Sequence, residues 1–560
     1  MKLNKITLSK DKIFIILLAL VGFVVYSNSL FNDFVFDDKA LIVYNPAIKS
    51  AKFLPQILQK DIYINFWQNT PNQPVSNVYR PCQLLSYYLD YKIWGLNPLG
   101  FHLMNLILHL LNAVLIFYLI FALFSDFKVS ALVSVLFLVH PLQTSVVSYI
   151  AGRADLLSFL FMLLGLFCFL KFNQTRYGKF YVFSLICALL ALLSRENALL
   201  FLVFLLLILY IQKAKPGQYL WAAPFVLLDF AYLLWRNYLF GSVQMPLPAG
   251  QLHFWQYLLN ILNLIFQYVL LLLSPLDLRL LRTTPFLNSF IQPQAILVTG
   301  FFILLVSGLI FFRKNRLLVF GTGWFIFGLV PVFIYFDKYS MLYGALMAES
   351  WAYVSSLGFF IVLVFILMKN RRIGGLLLII LILFYSALTL ANNFYWKKDL
   401  IIFKRIMQFA DPRLPIRKSL INEYLVYGRY NEALDEIKKY KGYYPDDPNL
   451  EILCGNYYFY TQDIKKAIAR YQEAIRRKGQ DFFVFYRLSI CYKILGQLDK
   501  AIDLGLAAYK INPYFVPNLI ELGESYRQKQ DFVSTRKYYS LALSLEPRNK
   551  IIRSLLEDAK

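Results

Sequence analysis

The sequence has little charge for its length. Charged side chains make up 16% of the 560 positions, and hydrophobic side chains make up 59%. Soluble domains typically carry about 25% charged residues. A chain this apolar needs lipid as well as a protein core to keep its side chains from water. The composition therefore predicts an integral membrane protein.

Cysteine and histidine are also scarce. The five cysteines form no CxxC pair and show no metal-ligand spacing, so they support neither a disulfide framework nor a zinc site. His102, His109 and His140 are far apart and lack a spacing such as HxxxH. We interpret them as hydrogen-bonded residues at helix ends and predict no resident metal. The sequence leaves open whether the activity depends on a divalent metal ion.

Acidic residues are outnumbered by basic ones, 33 to 57, which gives a formal net charge of +24. Such a balance can indicate nucleic-acid binding. Here, however, much of the basic excess lies in short clusters beside long apolar runs. That arrangement is typical of cytoplasmic loops in membrane proteins, where Lys and Arg accumulate. The sequence thus predicts no nucleic-acid partner.

Eleven apolar runs have about the length that a tilted membrane-spanning helix needs. The first run follows Lys2, Lys5, Lys10 and Lys12 and lacks a small-residue cleavage site. We therefore interpret it as an uncleaved span and not as a signal peptide. The predicted spans are 13–26, 101–124, 129–147, 154–172, 180–194, 196–212, 219–240, 294–312, 317–336, 352–368 and 373–392.

The basic clusters between the runs orient the chain. Assigning them to the cytoplasm places the N-terminus inside and a large loop, residues 28–100, outside. This topology requires that the run from His253 to Ser274 does not cross, so we predict an interfacial or re-entrant helix on the outer side. The odd number of crossings then places everything after Asn392 outside.

After the spans, the sequence repeats about every 34 residues, which is the tetratricopeptide length. Small residues that let two helices approach recur at Ala433, Ala467, Ala501 and Thr535. Tyrosines that fill the groove between helices recur at Tyr424, Tyr458, Tyr492 and Tyr526. Turn or terminating residues accompany them at Gly428, Pro445, Gly479, Gly496, Pro513 and Pro547. We predict four repeats over about Leu414–Lys550, with a concave surface that binds a peptide or protein.

Polar motifs concentrate in the segments predicted to lie outside. An acidic pair, Asp37 and Asp38, follows the first span closely. Acidic residues near lipid are costly and are functional candidates by default. The other motifs are Tyr79-Arg80-Pro81, Gly100-Phe101-His102, His140-Pro141, Gly152-Arg153-Ala154-Asp155, Ser194-Arg195-Glu196, and a later group of Glu349, Tyr353 and Gly358.

The order of these motifs, spans and repeats resembles the transmembrane and tetratricopeptide-repeat protein O-mannosyltransferases and their prokaryotic relatives. The resemblance extends over nearly the whole chain, with departures at Ser145 and Ser350, where the family often has an acid and an arginine. It implies an all-α fold, with a polytopic GT-C-type membrane domain followed by a tetratricopeptide-repeat solenoid. It also implies a glycosyltransferase that moves a mannose-like hexose, with inversion, from a polyprenyl-phosphate carrier to Ser or Thr hydroxyls of extracytoplasmic proteins.

The implied chemistry needs a base for the acceptor hydroxyl and cations for the departing lipid phosphate. We assign the base to Asp37, with Asp38 orienting the acceptor or a basic neighbour. The alternative is a solvated acidic turn that caps the next helix. Four arginines are candidates for binding the phosphate or for pairing the acids, with interfacial snorkelling as the alternative: Arg80, Arg153, Arg195 and Arg236. The supporting candidates are His102, His140, Asp155, Glu196, Glu349 and Tyr353, and we expect Asp155 and Glu196 to fix Arg153.

Two other functions remain open. One is transfer of the sugar to a glycan or lipid acceptor, and the other is a non-catalytic scaffold whose spans anchor a repeat platform. A transporter is disfavoured because the halves of the chain show no internal symmetry.

The predicted domains are 1–392 for the membrane enzyme, 393–413 for a linker and 414–560 for the repeats with a C-terminal cap. The predicted location is a prokaryotic plasma membrane, or the endoplasmic reticulum membrane for a eukaryotic chain.

Overall fold

A computed structural model of the chain describes residues 8–63, 77–241, 253–280, 282–335, 345–409, 416–477 and 481–559. Lys2, Lys5, Gly479 and part of the predicted linker lie outside these ranges. The chain divides into two compact units. The membrane unit comprises Met1–Asp33 and Pro98–Lys397, and the loop–repeat unit comprises Phe34–Asn97 and Lys398–Lys560. Most of the predicted outer loop therefore belongs to the same compact unit as the repeats, whereas the sequence prediction includes this loop in the membrane domain 1–392.

Within the described part of the membrane unit, nine helices are long and apolar enough to cross a bilayer. They are Lys10–Phe31, Pro98–Phe124, Ile150–Thr175, Pro216–Phe240, Phe254–Leu273, Pro293–Phe311, Arg316–Phe333, Glu349–Leu367 and Arg371–Trp396. A tenth candidate consists of Phe127–Val139 and Pro141–Val147, which meet at a bend of 51°. The multi-pass prediction is confirmed. The predicted spans at 180–194 and 196–212 correspond to shorter apolar helices, Gly178–Leu192 and Glu196–Ile211.

Close packing joins several of these helices. Phe204 stacks on Trp324 with ring centroids 3.9 Å apart and an interplanar angle of 10°. Gly358 lies against the backbone of a neighbouring helix, where an added Cβ would come within 2.3 Å of the carbonyl oxygen of Gly321. Small residues at such crossings let helix backbones approach each other, which is a main source of helix association in lipid.

The helix Phe254–Leu273 is unbroken for 20 residues. Its beginning, its later turns and its last turn are held by hydrogen bonds to residues at the ends of other helices in the membrane unit. The bonds run from Tyr257 Oη to Phe333 O at 2.8 Å, from Tyr268 Oη to Ala348 O at 2.9 Å, and between His140 Nε2 and Leu272 O at 3.0 Å. The predicted topology places His140 and Ala348 in outer loops, and Phe333 near the outer end of the predicted span 317–336. Its interfacial position stays a prediction, because length and composition would also let this helix cross.

A short antiparallel ladder lies in the membrane unit between Arg282–Thr284 and Ala345–Met347, with Thr283 opposite Leu346. It brings the segment after the helix Phe254–Leu273 next to the segment that precedes Glu349. This pairing positions charged residues that are discussed below.

Within its described residues, the loop–repeat unit has four consecutive antiparallel helix pairs and a final capping helix. The pairs are Arg417–Val426 with Tyr430–Tyr443, Pro448–Tyr460 with Ile464–Arg476, Phe482–Ile494 with Leu498–Ile511, and Val516–Gln528 with Phe532–Leu545, and the cap is Lys550–Glu557. The left-handed backbone conformation recurs at the equivalent position in the turn within each pair, at Gly428, Gln462, Gly496 and Gln530. The predicted small residues Ala433, Ala467, Ala501 and Thr535 are fully buried. The tetratricopeptide prediction is confirmed.

The described part of the outer loop in this unit, residues 34–63 and 77–97, contains short helical turns at Lys39–Val43, Pro46–Ile48, Ala51–Phe53 and Leu54–Ile57, and the longer helix Pro81–Trp94. It packs against the last repeat and the turn that follows. The buried ammonium of Lys49 lies 2.5 Å from a carboxylate oxygen of Glu546, and the rings of Phe53 and Tyr514 meet edge to face. Burial lowers the pKa of Lys49 by more than Glu546 raises it. The loop and the repeats therefore share one core.

Candidate active site

The acidic pair lies in a tight turn at the start of the loop–repeat unit. Asp38 is fully buried, its side chain accepts a hydrogen bond from the backbone N–H of Val35 at 3.1 Å, and its own N–H donates to Val35 O at 2.9 Å. Phe36 has a φ of +50°, which non-glycine residues seldom adopt. Asp38 thus closes the turn that presents Asp37. Asp38 precedes the short helical turn Lys39–Val43, but its side chain makes no capping hydrogen bond to that turn.

Asp37 has a tyrosine partner that the sequence motifs did not indicate. The Tyr63 hydroxyl donates a hydrogen bond to the Asp37 carboxylate, and the charge of Arg80 also acts on Tyr63. Burial and then the negative charge of Asp37 raise the pKa of Tyr63, while Arg80 opposes that shift. A tyrosine hydroxyl is protonated at neutral pH even at its ordinary pKa of about 10, so Tyr63 acts as a donor to the Asp37 carboxylate.

Arg80 is the phosphate candidate that belongs to the same unit as Asp37. It precedes the helix Pro81–Trp94, and its carbonyl accepts from the N–H groups of Gln83 and Leu84. The N-terminal turn of a helix carries a partial positive charge that favours anions. Because the charges of both Arg80 and Asp37 act on Tyr63, Arg80 and this turn lie near the acidic pair.

Arg153, the second phosphate candidate, has a different environment. Its side chain is fully buried in the membrane unit. Its Nε donates to Asn105 Oδ1 at 2.7 Å, and one Nη donates to Phe101 O at 2.7 Å. These bonds join the start of one span to the first turns of the helix Pro98–Phe124. The geometry gives Arg153 a role in holding these segments together.

Four other predicted charges of the membrane unit form two ion pairs. Arg195 pairs with Asp155, whose side chain is only 2% exposed. Arg236 lies 3.8 Å from Glu196. Pairing reduces the cost of burying each charge near lipid. The structure therefore brings Arg195 and Arg236 to the acids that were expected to fix Arg153.

The predicted supporting histidines lie at or near helix ends and contact backbone carbonyls. His102 Nε2 is 3.1 Å from Asn32 O, and His140 Nε2 is 3.0 Å from Leu272 O. Tyr353 is fully buried, and its hydroxyl contacts His109 Nδ1 at 2.9 Å and Asn112 Nδ2 at 3.1 Å. These contacts tie the ends and faces of several spans together.

Glu349 lies in a charged group that includes two arginines outside the predicted set. Its carboxylate accepts from the backbone N–H of Arg279. Asp277 lies 3.1 Å from an Nη of Arg279 and 3.7 Å from an Nη of Arg282. Arg279 and Arg282 are brought to Glu349 by the short antiparallel ladder, a pairing that leaves no motif in the sequence.

Across the described residues, no group of three or more His, Cys, Asp or Glu side chains has the geometry to hold a metal ion. The clusters found here consist instead of acids paired with arginines, lysines or tyrosine. Their chemistry is that of proton acceptance and anion binding.

No family model matches the chain. Among curated proteins, it is 38% identical over 152 residues to protein O-mannosyl-transferase TMTC3 of Homo sapiens, covering 27% of this chain and 16% of that protein. It is 34% identical over 191 residues to protein O-mannosyl-transferase F38B6.6 of Caenorhabditis elegans, covering 33% and 26%. A third relative, protein O-mannosyl-transferase tmtc2 of Xenopus laevis, is 37% identical over 163 residues, covering 29% and 19%. The matches thus span between 16% and 26% of the length of these relatives.

Two solved structures match 27% and 32% of the chain. MamA matches with 25% identity and a TM-score of 0.23, covering 27% of this chain and 87% of that one. The tetratricopeptide-repeat protein TTC0263 of Thermus thermophilus matches with 17% identity and a TM-score of 0.26, covering 32% and 94%. Over the stretches matched in the curated proteins, sequence similarity confirms the resemblance to the transmembrane and tetratricopeptide-repeat protein O-mannosyltransferases that the motifs predict.

Proposed function

We propose that this protein is a membrane glycosyltransferase that moves a mannose-like hexose from a polyprenyl-phosphate carrier to Ser or Thr hydroxyls of proteins. The names of its relatives support a protein O-mannosyltransferase. The observation that carries the proposal is the arrangement of Asp37, Tyr63 and Arg80 in one compact unit. It combines a proton acceptor, a fixed donor that orients it and a cation suited to phosphate.

In the proposed reaction, the acceptor oxygen attacks the anomeric carbon of the sugar from the face opposite the carrier. The new C–O bond forms as the bond from carbon to the phosphate oxygen breaks, so the configuration inverts. Asp37 accepts the hydroxyl proton. The bond electrons leave with the polyprenyl phosphate, whose charge Arg80 stabilises through its planar donor groups.

The repeats favour a protein acceptor or partner over a glycan or lipid acceptor. Stacked tetratricopeptide repeats form extended surfaces of the kind that bind peptides and proteins. Part of this surface is covered by the chain's own outer loop, through contacts such as Lys49 with Glu546. An acceptor peptide would then bind to the rest of the repeat surface.

The test is transfer from a radiolabelled polyprenyl-phosphate mannose to a Ser/Thr peptide by the purified full chain. Asp37→Asn keeps the side-chain shape and removes the base, so turnover should fall by about 10²–10⁴-fold with donor affinity unchanged. The matched control is Asp435→Asn, since Asp435 is an exposed acid of the repeats that pairs only loosely with Lys438.

Three outcomes would contradict parts of the proposal. Near-wild-type turnover in Asp37→Asn would remove Asp37 as the base. Transfer by the wild type to a glycan or lipid but not to peptide would change the acceptor class. Absence of transfer by the wild type to all of these acceptors would favour a non-catalytic scaffold.

A further inference from the structure

One buried carboxylate contacts the chain on both sides of the acidic pair. Asp399 begins the helix Asp399–Phe409, and its side chain is 5% exposed. Its Oδ1 accepts from the backbone N–H of Phe36 at 2.6 Å, and its Oδ2 lies 2.5 Å from the ammonium of Lys39. Asp399 therefore spans the two residues between them, Asp37 and Asp38.

The residue held by Oδ1 is the one with unusual backbone geometry. The φ of +50° at Phe36 lies in the left-handed region, where the Cβ of an L-residue is crowded. Such a conformation persists only where neighbouring groups fix it. The same helix also contacts the Phe36 side chain, since the rings of Phe36 and Phe403 meet edge to face at 6.0 Å. One helix thus fixes both the backbone and the side chain of the residue before Asp37.

Lys39 links this arrangement to the first repeat. Its ammonium lies 3.5 Å from a carboxylate oxygen of Glu423, which belongs to the repeat helix Arg417–Val426. The acidic turn is therefore held by groups from the distant C-terminal part of the chain, since Asp399 follows Phe36 by 363 positions.

We propose that Asp399 is a positioning residue for the transfer reaction, which sets the direction of the Asp37 carboxylate by fixing Phe36 and Lys39 on either side of it. The proposal rests on the proposed function, in which Asp37 is the base. Asp399 itself touches neither sugar nor acceptor in this scheme. Its effect is geometric, because displacing a catalytic group by about 1 Å can reduce a rate by about 10²-fold.

The test compares Asp399→Ala and Asp399→Asn in the purified full chain. Asp399→Ala should lower kcat by about 10–100-fold and leave KM for donor and peptide within about twofold. Asp399→Asn should lower kcat by a smaller factor, because its amide oxygen can still accept a hydrogen bond from the Phe36 N–H. The matched control is Glu451→Ala, which removes a similarly buried repeat carboxylate that pairs with Arg470 at 3.1 Å.

A double variant separates positioning from general destabilisation. In an Asp37→Asn background, Asp399→Ala should cause no further loss of rate, because the group that it positions is already absent. An equal loss in both backgrounds would assign Asp399 to fold stability and overturn the proposal. Should Asp399→Ala fail to fold, the same comparison is made with Asp399→Asn.

Hydrogen exchange gives a readout that does not depend on activity. The Phe36 amide should exchange faster in Asp399→Ala than in the wild type or in Glu451→Ala. This inference would be overturned, and the proposed function left intact, if the wild type is active, Asp37→Asn is inactive and Asp399→Ala keeps the wild-type kcat. An inactive wild type whose Phe36 amide still responds to Asp399→Ala would overturn the proposed function, and the positioning role with it.

Discussion

The Tyr63 hydroxyl donates a hydrogen bond to the Asp37 carboxylate. Tyr63→Phe removes that donor and keeps the ring, so Asp37 loses one constraint on its orientation. Hydrogen bonds to charged groups contribute about 1.5–3 kcal/mol, so we expect kcat to fall by about 10–100-fold. Steady-state kinetics of the purified chain measures the effect, with Tyr427→Phe at an exposed repeat position as control. Unchanged kcat in Tyr63→Phe would show that the bond does not matter for turnover.

The two ends of the helix Phe254–Leu273 should be accessible from the same side of the membrane. In a background with the five native cysteines replaced by serine, His253→Cys and Ser274→Cys flank this helix at exposed positions. An impermeant thiol reagent should label both from the side that labels Ser540→Cys, and neither from the side that labels Lys314→Cys. Labelling of the two flanks from opposite sides would show that the helix crosses.

The Asp155–Arg195 pair should contribute to the stability of the membrane unit. Asp155→Asn leaves a largely buried guanidinium without this carboxylate, which typically costs about 3–5 kcal/mol. Adding Arg195→Gln removes the remaining charge and should restore part of the loss. Thermal unfolding in detergent measures both variants. A double variant less stable than Asp155→Asn would contradict this account.

Gly358 should not tolerate a methyl group. A Cβ there would lie 2.3 Å from Gly321 O and 2.4 Å from Phe325 N, both backbone atoms that cannot easily move. We expect Gly358→Ala to destabilise the protein by about 1–3 kcal/mol. Gly300→Ala is the matched control, because a Cβ at that helical position meets nothing within 4 Å. Equal melting temperatures for the two variants would argue against the close crossing.

The ion pairs of Lys39 should make the stability of the protein fall at high pH. Burial lowers the pKa of Lys39, but Asp399 and Glu423 raise it by more, so the folded pKa lies above the ordinary 10.5. A raised pKa means that the stabilisation is fully present below about pH 10.5 and is lost as pH rises through the folded pKa. The melting temperature of the wild type should exceed that of Lys39→Met by a constant amount from about pH 7 to 10, and by less above pH 10.5. A difference that does not change with pH would contradict this.

Periodicity made the architecture predictable. Long apolar runs indicate helices that lipid can surround. The regular repeat predicts turns at Gly428 and Gly496, and both residues have the left-handed backbone conformation. In the structure, Gln462 and Gln530 adopt the same conformation at the equivalent positions of the other two repeats. The two glutamines gave no signal, because the repeat packing forces a conformation that their own preference would not select.

The candidate site was predictable only where its residues are local in sequence. Asp37, Asp38 and the acids beside Arg153 and Arg195 stand in short motifs, so their types and spacing are visible. Tyr63 and Asp399 are not, because a hydrogen bond to a residue far away along the chain leaves no trace in either neighbourhood. Arg153 shows the same limit, since its carbonyl and amide partners lie in another helix.

The shared core of the outer loop and the repeats also has a consequence for biosynthesis. The ribosome completes the loop roughly 300 residues before it reaches Lys398, a delay of about 15–60 s at about 5–20 residues per second. During that interval Lys49 and Phe53 have none of their repeat partners, and the turn at Phe36 lacks Asp399. A chain cut off before Lys398 would remain permanently in this incomplete state. Loss of transfer in such a truncated protein would therefore report an unfinished acidic turn as well as any loss of acceptor recruitment.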